Sequence, residues 1–134
     1  MAHIDLNKYA EFVKAMASQT SSDISLFSER TASLHGNDFN LPRVLSGAIG
    51  MSSESGELLE IIKKVLFQGK ELTDENRESM IKELGDVMWY VTQTCLGLGV
   101  SLDEVLQKNI TKLSARYPDQ TFDVWYSENR AEEI

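Results

Sequence analysis

The 134-residue sequence contains one cysteine, two prolines and two histidines, and its 13 Lys and Arg residues are outnumbered by 21 Asp and Glu residues. Because Cys95 is alone, an intrachain disulfide is excluded, and its apolar neighbours predict a buried thiol in a reducing compartment. The net charge of -8 argues against nucleic-acid binding, which needs basic residues to neutralise phosphates. The sequence lacks both an apolar run of the roughly 20 residues that span a membrane and an N-terminal signal pattern. We therefore predict a cytoplasmic protein with one domain over residues 1–134 and with neither membrane nor nucleic-acid partners.

The scarcity of proline and glycine leaves long segments in which apolar residues recur at the three- and four-residue spacing of an α-helix. Cap and stop residues predict a helix after Asp5, a second from Pro42 to Gly69, a third from Thr73 to Gly97 or Gly99, and a fourth from Ser101 to Pro118. The second helix is expected to be long and largely buried. Between Ser21 and Asn40 we expect only a short helical turn and a loop, and residues 119–134 read as a loop or a partner-docking tail. These patterns predict an all-α, four-helix-bundle-like fold.

Two pairs of acidic residues stand at matching places on the second and third predicted helices. Glu54 and Glu57 are three residues apart, as are Glu83 and Asp86, so each pair projects from one helix face. A glycine precedes the second acid of each pair, at Gly56 and Gly85, and we expect these glycines to let the two helices approach closely. The four carboxylates are then predicted to face one another.

Clustered carboxylates repel, so a cation is expected to neutralise them. Ligation by oxygen alone selects a hard divalent ion, Mg²⁺ or Mn²⁺, and magnesium usually keeps positions for water and substrate phosphates. An acidic solvated surface is the alternative for any single Glu-x-x-Glu, but the duplication favours a metal site. A di-iron site needs Glu-x-x-His pairs, which His3 and His35 do not provide, and a P-loop motif is absent.

Donor side chains for a nucleotide are predicted on the fourth helix. Asn109, Lys112 and Arg116 follow one another at steps of three and four, which places an amide, an ammonium and a guanidinium along one face. Such a face suits phosphate or sugar oxygens, although spacing alone favours an ordinary polar surface. Tyr90 follows Asp86 by one helical turn and is expected to flank the acids, whereas Trp89 is expected to pack in the core.

Three blocks of sequence together resemble a known family. The blocks are Glu54-x-x-Glu57, then, after 25 residues, Glu83-Leu-Gly-Asp86-Val-Met-Trp-Tyr90, and finally Lys108-Asn109-Ile-x-Lys112-Leu-x-x-Arg116-Tyr-Pro118. They resemble the MazG family of all-α nucleoside triphosphate pyrophosphohydrolases, in the compact single-domain form found in bacteria and their phages. The resemblance covers residues 40–118. Many MazG proteins have two adjacent glutamates at the start of the first block, where this chain has Ser53 before Glu54.

The resemblance implies a Mg²⁺-dependent hydrolysis of a nucleoside triphosphate to the monophosphate and pyrophosphate. It assigns the four acids to metal ligation and catalysis, with Glu57 preferred as the group that also contacts the attacking water. Tyr90, Asn109, Lys112 and Arg116 are then expected to bind the substrate, with a preference for deoxynucleotides. It also implies a homo-oligomer, most simply a tetramer with a dimer as its minimum unit, in the cytoplasm of a bacterium or a phage-infected cell.

Two other functions are compatible with the same residues. Within the enzyme class, the substrate is alternatively another diphosphate-containing nucleotide, such as phosphoribosyl-ATP or an alarmone. In a different class, the chain is a metal-stabilised helical binding module without turnover. Identification of products from a panel of nucleotides separates these possibilities.

Overall fold

The computed structural model describes residues 4–34 and 39–129, and these residues form helices and no strand. The helices are α1 (Leu6–Met16), a 3₁₀ turn (Gln19–Ser21), α2 (Ile24–Ser33), α3 (Leu41–Gln68), α4 (Asp74–Leu98), α5 (Leu102–Arg116) and α6 (Val124–Glu128). The all-α prediction is confirmed, whereas the bundle arrangement stays a prediction. The chain divides into two compact units, residues 1–41 and residues 42–134. Each of these helices is too short or too polar to cross a bilayer.

The predicted helix ends are confirmed by the residues that cap them. Asp5 accepts hydrogen bonds from the backbone N–H groups of Asn7 and Lys8 at 3.0 and 3.2 Å. Thr73 and Ser101 cap α4 and α5 in the same way, each through its side-chain oxygen. At the other ends, Gly69 and Gly99 have φ values of +66° and +67°, a left-handed conformation that glycine adopts without steric cost.

The first unit contains more helix than the sequence predicted. Where a short turn was expected, α2 runs for 10 residues, and its N-cap Asp23 accepts hydrogen bonds from the N–H groups of Ser25 and Leu26. The helix was missed because 4 of its 10 residues are Ser or Thr, which are weak helix formers. Their hydroxyls instead bond back within the helix, as Ser33 Oγ does to the Arg30 carbonyl at 2.7 Å. The loop predicted around residues 36–38 lies outside the described residues.

In the second unit, α3 and α4 run antiparallel and touch through glycines. A methyl group added to Gly47 would overlap Thr94 Oγ1 and lie 3.0 Å from the Tyr90 carbonyl oxygen. A methyl group on Gly97 would lie 2.8 Å from Val44 Cγ2. The three-residue step from Gly47 to Gly50 keeps both glycines on the face of α3 that meets α4, so the two backbones approach closely there.

The glycines beside the acidic residues do not have the role that the sequence predicted for them. In the described part of the chain, a methyl group on Gly56 or Gly85 would meet no atom within 4 Å. Both positions lie one residue before an acid, about 100° away from it around the helix, and therefore point away from the α3–α4 contact. The close approach depends on Gly47, Gly50 and Gly97.

Burial within the described residues is slight. Cys95, at 6% exposure, is the one apolar side chain classed as buried among them, which confirms the predicted buried thiol. The expectation that α3 is largely buried is wrong for the single chain, because its buried residues are Gly47 and Gly50. Trp89, expected in the core, is 56% exposed, since it lies about 100° around α4 from Tyr90 and cannot share the side that faces α3.

The tail after Pro118 is partly helical rather than a loop throughout. Asp123 caps the five-residue α6 by accepting a hydrogen bond from the Trp125 N–H. Aromatic rings contact one another along this segment, with centroids 6.0 Å apart for Tyr117 and Phe122 and 5.2 Å apart for Trp125 and Tyr126. Phe122 and Trp125 are nevertheless exposed, so the docking role predicted for the tail stays open.

Candidate metal centre

Three of the four predicted acids converge where α3 and α4 lie side by side. Carboxylate oxygens of Glu54, Glu57 and Glu83 all lie within 4.8 Å of one another. Glu54 and Glu83 are half-buried, whereas Glu57 and Asp86 are exposed. The antiparallel register explains the meeting of Glu57 and Glu83, because Glu57 lies 10 residues beyond Gly47 on α3 and Glu83 lies 11 residues before Thr94 on α4.

Glu54, Glu57, Glu83 and Asp86 together form an acidic cluster. Within this acidic cluster, Glu54 lies in an environment that disfavours its charged form. Partial burial raises the pKa of the Glu54 carboxyl above its ordinary value of 4.5, and the negative charges of Glu57, Asp86 and Glu83 raise it further. Asp86 therefore lies near enough to Glu54 to act on its charge. The protein alone leaves this carboxylate in an unfavourable environment.

Glu60, two turns further along α3 from Glu54, has the opposite environment. It pairs with Lys63 and, at 3.4 Å, with Lys64. The hydrogen bonds from these two ammonium groups lower the pKa of Glu60. Of these two half-buried glutamates on one helix, Glu60 has its counter-charge within the chain and Glu54 is surrounded by like charge.

The other predicted site residues lie on α4 and α5. Tyr90 is half-buried on the α4 face that meets α3, one turn beyond Asp86. On α5, Asn109 and Lys112 are exposed and Arg116 is half-buried. Their approach to the acidic cluster stays a prediction.

One residue of this region was missed by sequence reasoning. Gly50 lies against the Tyr90 ring, and a methyl group added to it would overlap the ring atoms Cε1, Cδ1 and Cζ. The available signal was the Gly47-x-x-Gly50 spacing, which places two small residues on one helix face. The sequence instead led us to assign the close approach of the helices to Gly56 and Gly85, because these two glycines lie inside the acidic motifs.

Comparison with known families identifies the domain. Residues 45–121 match the family described as the MazG nucleotide pyrophosphohydrolase domain. The chain belongs to this family. The match includes all eight predicted site residues and closely follows the range, 40–118, over which the motifs indicated a MazG protein.

The chain is also similar to a protein of a bacterial virus. The MazG chain is 44% identical over 70 residues to the Gene 37 protein of Mycobacterium phage L5. The aligned part covers 51% of this chain and 60% of the phage protein, so the similarity extends over less than two thirds of that relative. No solved structure matches the chain.

The donor set of the acidic cluster fits a hard divalent cation. It offers carboxylate oxygens alone, which suit Mg²⁺ or Mn²⁺ and do not suit metals that prefer sulfur or nitrogen ligands. Two ligands at about 2.1 Å from one ion lie at most about 4.2 Å apart. The carboxylate oxygens lie within 4.8 Å of one another, so their side chains would have to move slightly closer to hold one ion. A bound cation would also reverse the unfavourable environment of Glu54, because positive charge favours the ionised carboxylate.

Replacing Glu54 by Gln is expected to raise the melting temperature of the metal-free protein at neutral pH. A raised folded-state pKa means that Glu54 stabilises the fold below about pH 4.5 and loses that contribution as the pH rises through its folded pKa. The gain from Glu54→Gln should therefore shrink as the pH falls towards 4.5. Thermal unfolding monitored by circular dichroism in EDTA, at several pH values, measures this.

Glu60→Gln is the matched control, and its effect should have the opposite sign. Because the pKa of Glu60 is lowered, its contribution is present above its ordinary pKa and is lost as the pH falls through the folded value. Loss of the Lys63 and Lys64 pairs should lower the melting temperature at neutral pH. An equal response of the two variants would show that the charge of the acidic cluster does not strain the fold.

Proposed function

We propose that this MazG protein is a Mg²⁺-dependent nucleoside triphosphate pyrophosphohydrolase that converts a (d)NTP, preferably a deoxynucleotide, to the monophosphate and pyrophosphate. The observation that carries the proposal is the convergence of Glu54, Glu57 and Glu83 in a chain that belongs to the MazG family. A triphosphate is polyanionic and does not bind unaided to a cluster of carboxylates. The proposal therefore requires a cation between the acids and the substrate, and the donor set suits one.

The acids have distinct roles in this proposal. Glu54, Glu57 and Glu83, whose oxygens converge, would hold the cation together with Asp86. When bound, Mg²⁺ supplies charge neutralisation for the triphosphate and Lewis-acid activation of the reacting oxygen atoms. Glu57, the exposed one of the three converging glutamates, is also assigned to contact the attacking water, from which a carboxylate can accept a proton. The carboxylates fix the position of the reacting groups, which is the main contribution a protein makes to phosphoryl transfer.

Binding of the sugar, the base and further phosphate oxygens of the substrate is assigned to side chains outside the acidic cluster. Lys112 and Arg116 provide positive charge for phosphate oxygens, and the guanidinium of Arg116 can form paired hydrogen bonds to them. Asn109 offers an amide to the sugar, and Tyr90 offers a ring to the sugar or base. Attack at the α-phosphorus is inferred from membership of the MazG family together with this assignment of residues, because their spacing alone does not select a phosphorus.

Hydrolysis in ¹⁸O-labelled water tests the reaction. Water oxygen bonds to the α-phosphorus while the bond from that phosphorus to the bridging oxygen breaks, so the label is expected in dCMP or dGMP and the unlabelled leaving group is pyrophosphate. Mass spectrometry of the products from dCTP and dGTP reads this directly. Label in pyrophosphate alone would place attack at the β-phosphorus, and a diphosphate product would refute the reaction type. Turnover of phosphoribosyl-ATP or an alarmone in preference to dNTPs would change the substrate assigned.

We further propose that the active form is a homo-oligomer, a tetramer built from dimers. The support is a face of α4 that is turned away from Tyr90 and Thr94, the residues that meet the glycines of α3. It forms a groove of about 360 Å³ lined by Gly85, Met88, Trp89, Thr92, Gln93 and Leu96. Leu96 and Trp89 there are 58% and 56% exposed, and helices that leave such an apolar face uncovered usually bury it against another chain.

A lysine placed in this groove is expected to shift the oligomer towards smaller species. Thr92 is exposed, and its hydroxyl donates to the carbonyl one turn earlier at 2.9 Å, so Thr92→Lys puts a charge among apolar side chains without removing core packing. Thr111→Lys is the matched control, because Thr111 makes the same bond at 3.0 Å on an exposed face of α5. Light scattering should give a tetramer for the wild type and for Thr111→Lys. A wild-type mass near 15 kDa would overturn the oligomer.

A further inference from the structure

The space between α3 and α4 is filled differently at each level along the helix pair. At Gly47 the two backbones approach each other, with the Tyr90 carbonyl oxygen and the Thr94 nitrogen 3.0 and 3.2 Å from the place of a missing methyl group. At the acidic cluster the space holds carboxylate groups. Between these levels lies Gly50, whose missing side chain is replaced by the ring of Tyr90.

The contact at Gly50 differs in kind from the contact at Gly47. The three nearest atoms to a methyl group on Gly50 are all ring atoms of Tyr90, and no backbone atom is among them. A side chain at Gly47 would push the helices themselves apart, because it meets the backbone of α4. At Gly50 it would first displace one ring, since a side chain can rotate at lower cost than two packed helices can separate.

The seated ring borders the acidic cluster. Tyr90 follows Asp86 by one turn on the α4 face that meets α3, and Gly50 precedes Glu54 by one turn on α3. The ring therefore lies about one turn from the carboxylates along the α3–α4 contact. On its other side it meets the Trp89 ring edge to face, with centroids 4.8 Å apart and planes at 89°. Backbone on one side and indole on the other restrict where the phenol ring can lie.

We propose that Gly50 is a positioning residue, which seats the Tyr90 ring beside the acidic cluster so that the ring contacts the nucleoside end of the substrate. The inference rests on the nucleotide pyrophosphohydrolase function proposed above. It adds that the nucleoside contact depends on the absence of a side chain at Gly50. A ligand held at the acids and extending past Asp86 towards Tyr90 would meet this ring, which suits a sugar or base better than a phosphate.

Gly50→Ala tests the inference, with Gly56→Ala as the matched control on the same helix. The methyl group of the control enters open space, so Gly56→Ala should leave KM and kcat unchanged. It should raise the melting temperature, because alanine has a higher helix propensity than glycine. Gly50→Ala should raise KM for dCTP or dGTP about tenfold, the loss expected for one aromatic contact to a nucleoside. Its kcat at saturation should change by less than about threefold, because uniform binding is lost and the acids stay in place.

Two further readouts separate ring placement from general damage. Near-ultraviolet circular dichroism of the Trp89–Tyr90 pair should change in Gly50→Ala without any substrate present and stay unchanged in Gly56→Ala. The rise of melting temperature on Mg²⁺ addition should be equal in wild type and Gly50→Ala, because the acidic cluster is one turn away. Loss of that rise would mean that the helices had separated, and it would overturn the inference.

A double-mutant cycle decides whether Gly50 acts through the ring. In a Tyr90→Ala background, Gly50→Ala should leave KM unchanged, because the atoms that the methyl group meets have been removed. In a Tyr90→Phe background its full effect should persist, since the ring remains. Additive effects of Gly50→Ala and Tyr90→Ala, or a wild-type KM in Gly50→Ala, would overturn the inference. Wild-type protein that releases no pyrophosphate would instead refute the proposed function, and ring seating would then be judged from the near-ultraviolet spectra.

Discussion

Glu57→Gln should lower turnover of a nucleoside triphosphate by at least about 100-fold. Residues that only orient metal ligands typically contribute about 10- to 100-fold to activity, and a carboxylate that itself contacts the metal or the attacking water should contribute no less. Glu57 is exposed and its carboxylate lies within 4.8 Å of Glu54 and Glu83 oxygens, so the amide removes charge from the acidic cluster with little change of volume. Steady-state release of pyrophosphate measures the loss. The far-ultraviolet circular dichroism should stay that of the wild type, since the Glu57 side chain is exposed.

Asp86→Asn is expected to behave like Glu57→Gln, and Glu60→Gln provides the control. Glu60 lies on the same helix one turn beyond Glu57, but it is paired with Lys63 and Lys64 and lies outside the group of three converging glutamates. Turnover by Glu60→Gln should therefore stay within about threefold of wild type at a temperature below its melting point. Full activity in Glu57→Gln or Asp86→Asn would mean that the reaction uses a different helix face.

Mg²⁺ at about 100 times its dissociation constant should raise the melting temperature by about 10 °C, since binding to the folded state alone adds about 2.7 kcal/mol at that concentration. The physical source is neutralisation of the Glu54 carboxylate, whose pKa is raised by partial burial and by the negative charges of its neighbours. Mn²⁺ should act similarly because it also prefers oxygen ligands. Differential scanning calorimetry of EDTA-treated protein, with each ion added back, measures the shift.

Substitution of individual acids should reduce the Mg²⁺-dependent rise in melting temperature. Glu54→Gln and Glu83→Gln should remove most of the Mg²⁺-dependent shift, because both residues are half-buried within the acidic cluster. Glu60→Gln should retain all of it. A melting temperature that is insensitive to Mg²⁺ in the wild type, together with turnover in EDTA, would remove the metal from the mechanism. A full thermal shift without any turnover would instead favour the metal-stabilised binding module.

Local sequence determined the helices because their ends depend on nearby residues. Asp5, Thr73 and Ser101 cap the helices that follow them, and Gly69 and Gly99 end helices through their left-handed conformation. The MazG motifs likewise placed the acids at three-residue spacing, and a helix puts residues three apart on one face. The exception was α2. Its Ser and Thr residues disfavour a helix and its N-cap Asp23 favours one, so composition did not decide whether the helix forms.

Only the tertiary structure decided which faces meet. Gly56 and Gly85 belong to the recognised motifs and yet lie in open space, whereas Gly47, Gly50 and Gly97 carry the contact between α3 and α4. A sequence gives the angular position of a residue around its own helix but does not give the rotation of that helix against its neighbour. That rotation is fixed by packing between residues far apart in the chain, such as Gly50 and Tyr90, because two backbones approach closely only where both present small surfaces or one accommodates a ring.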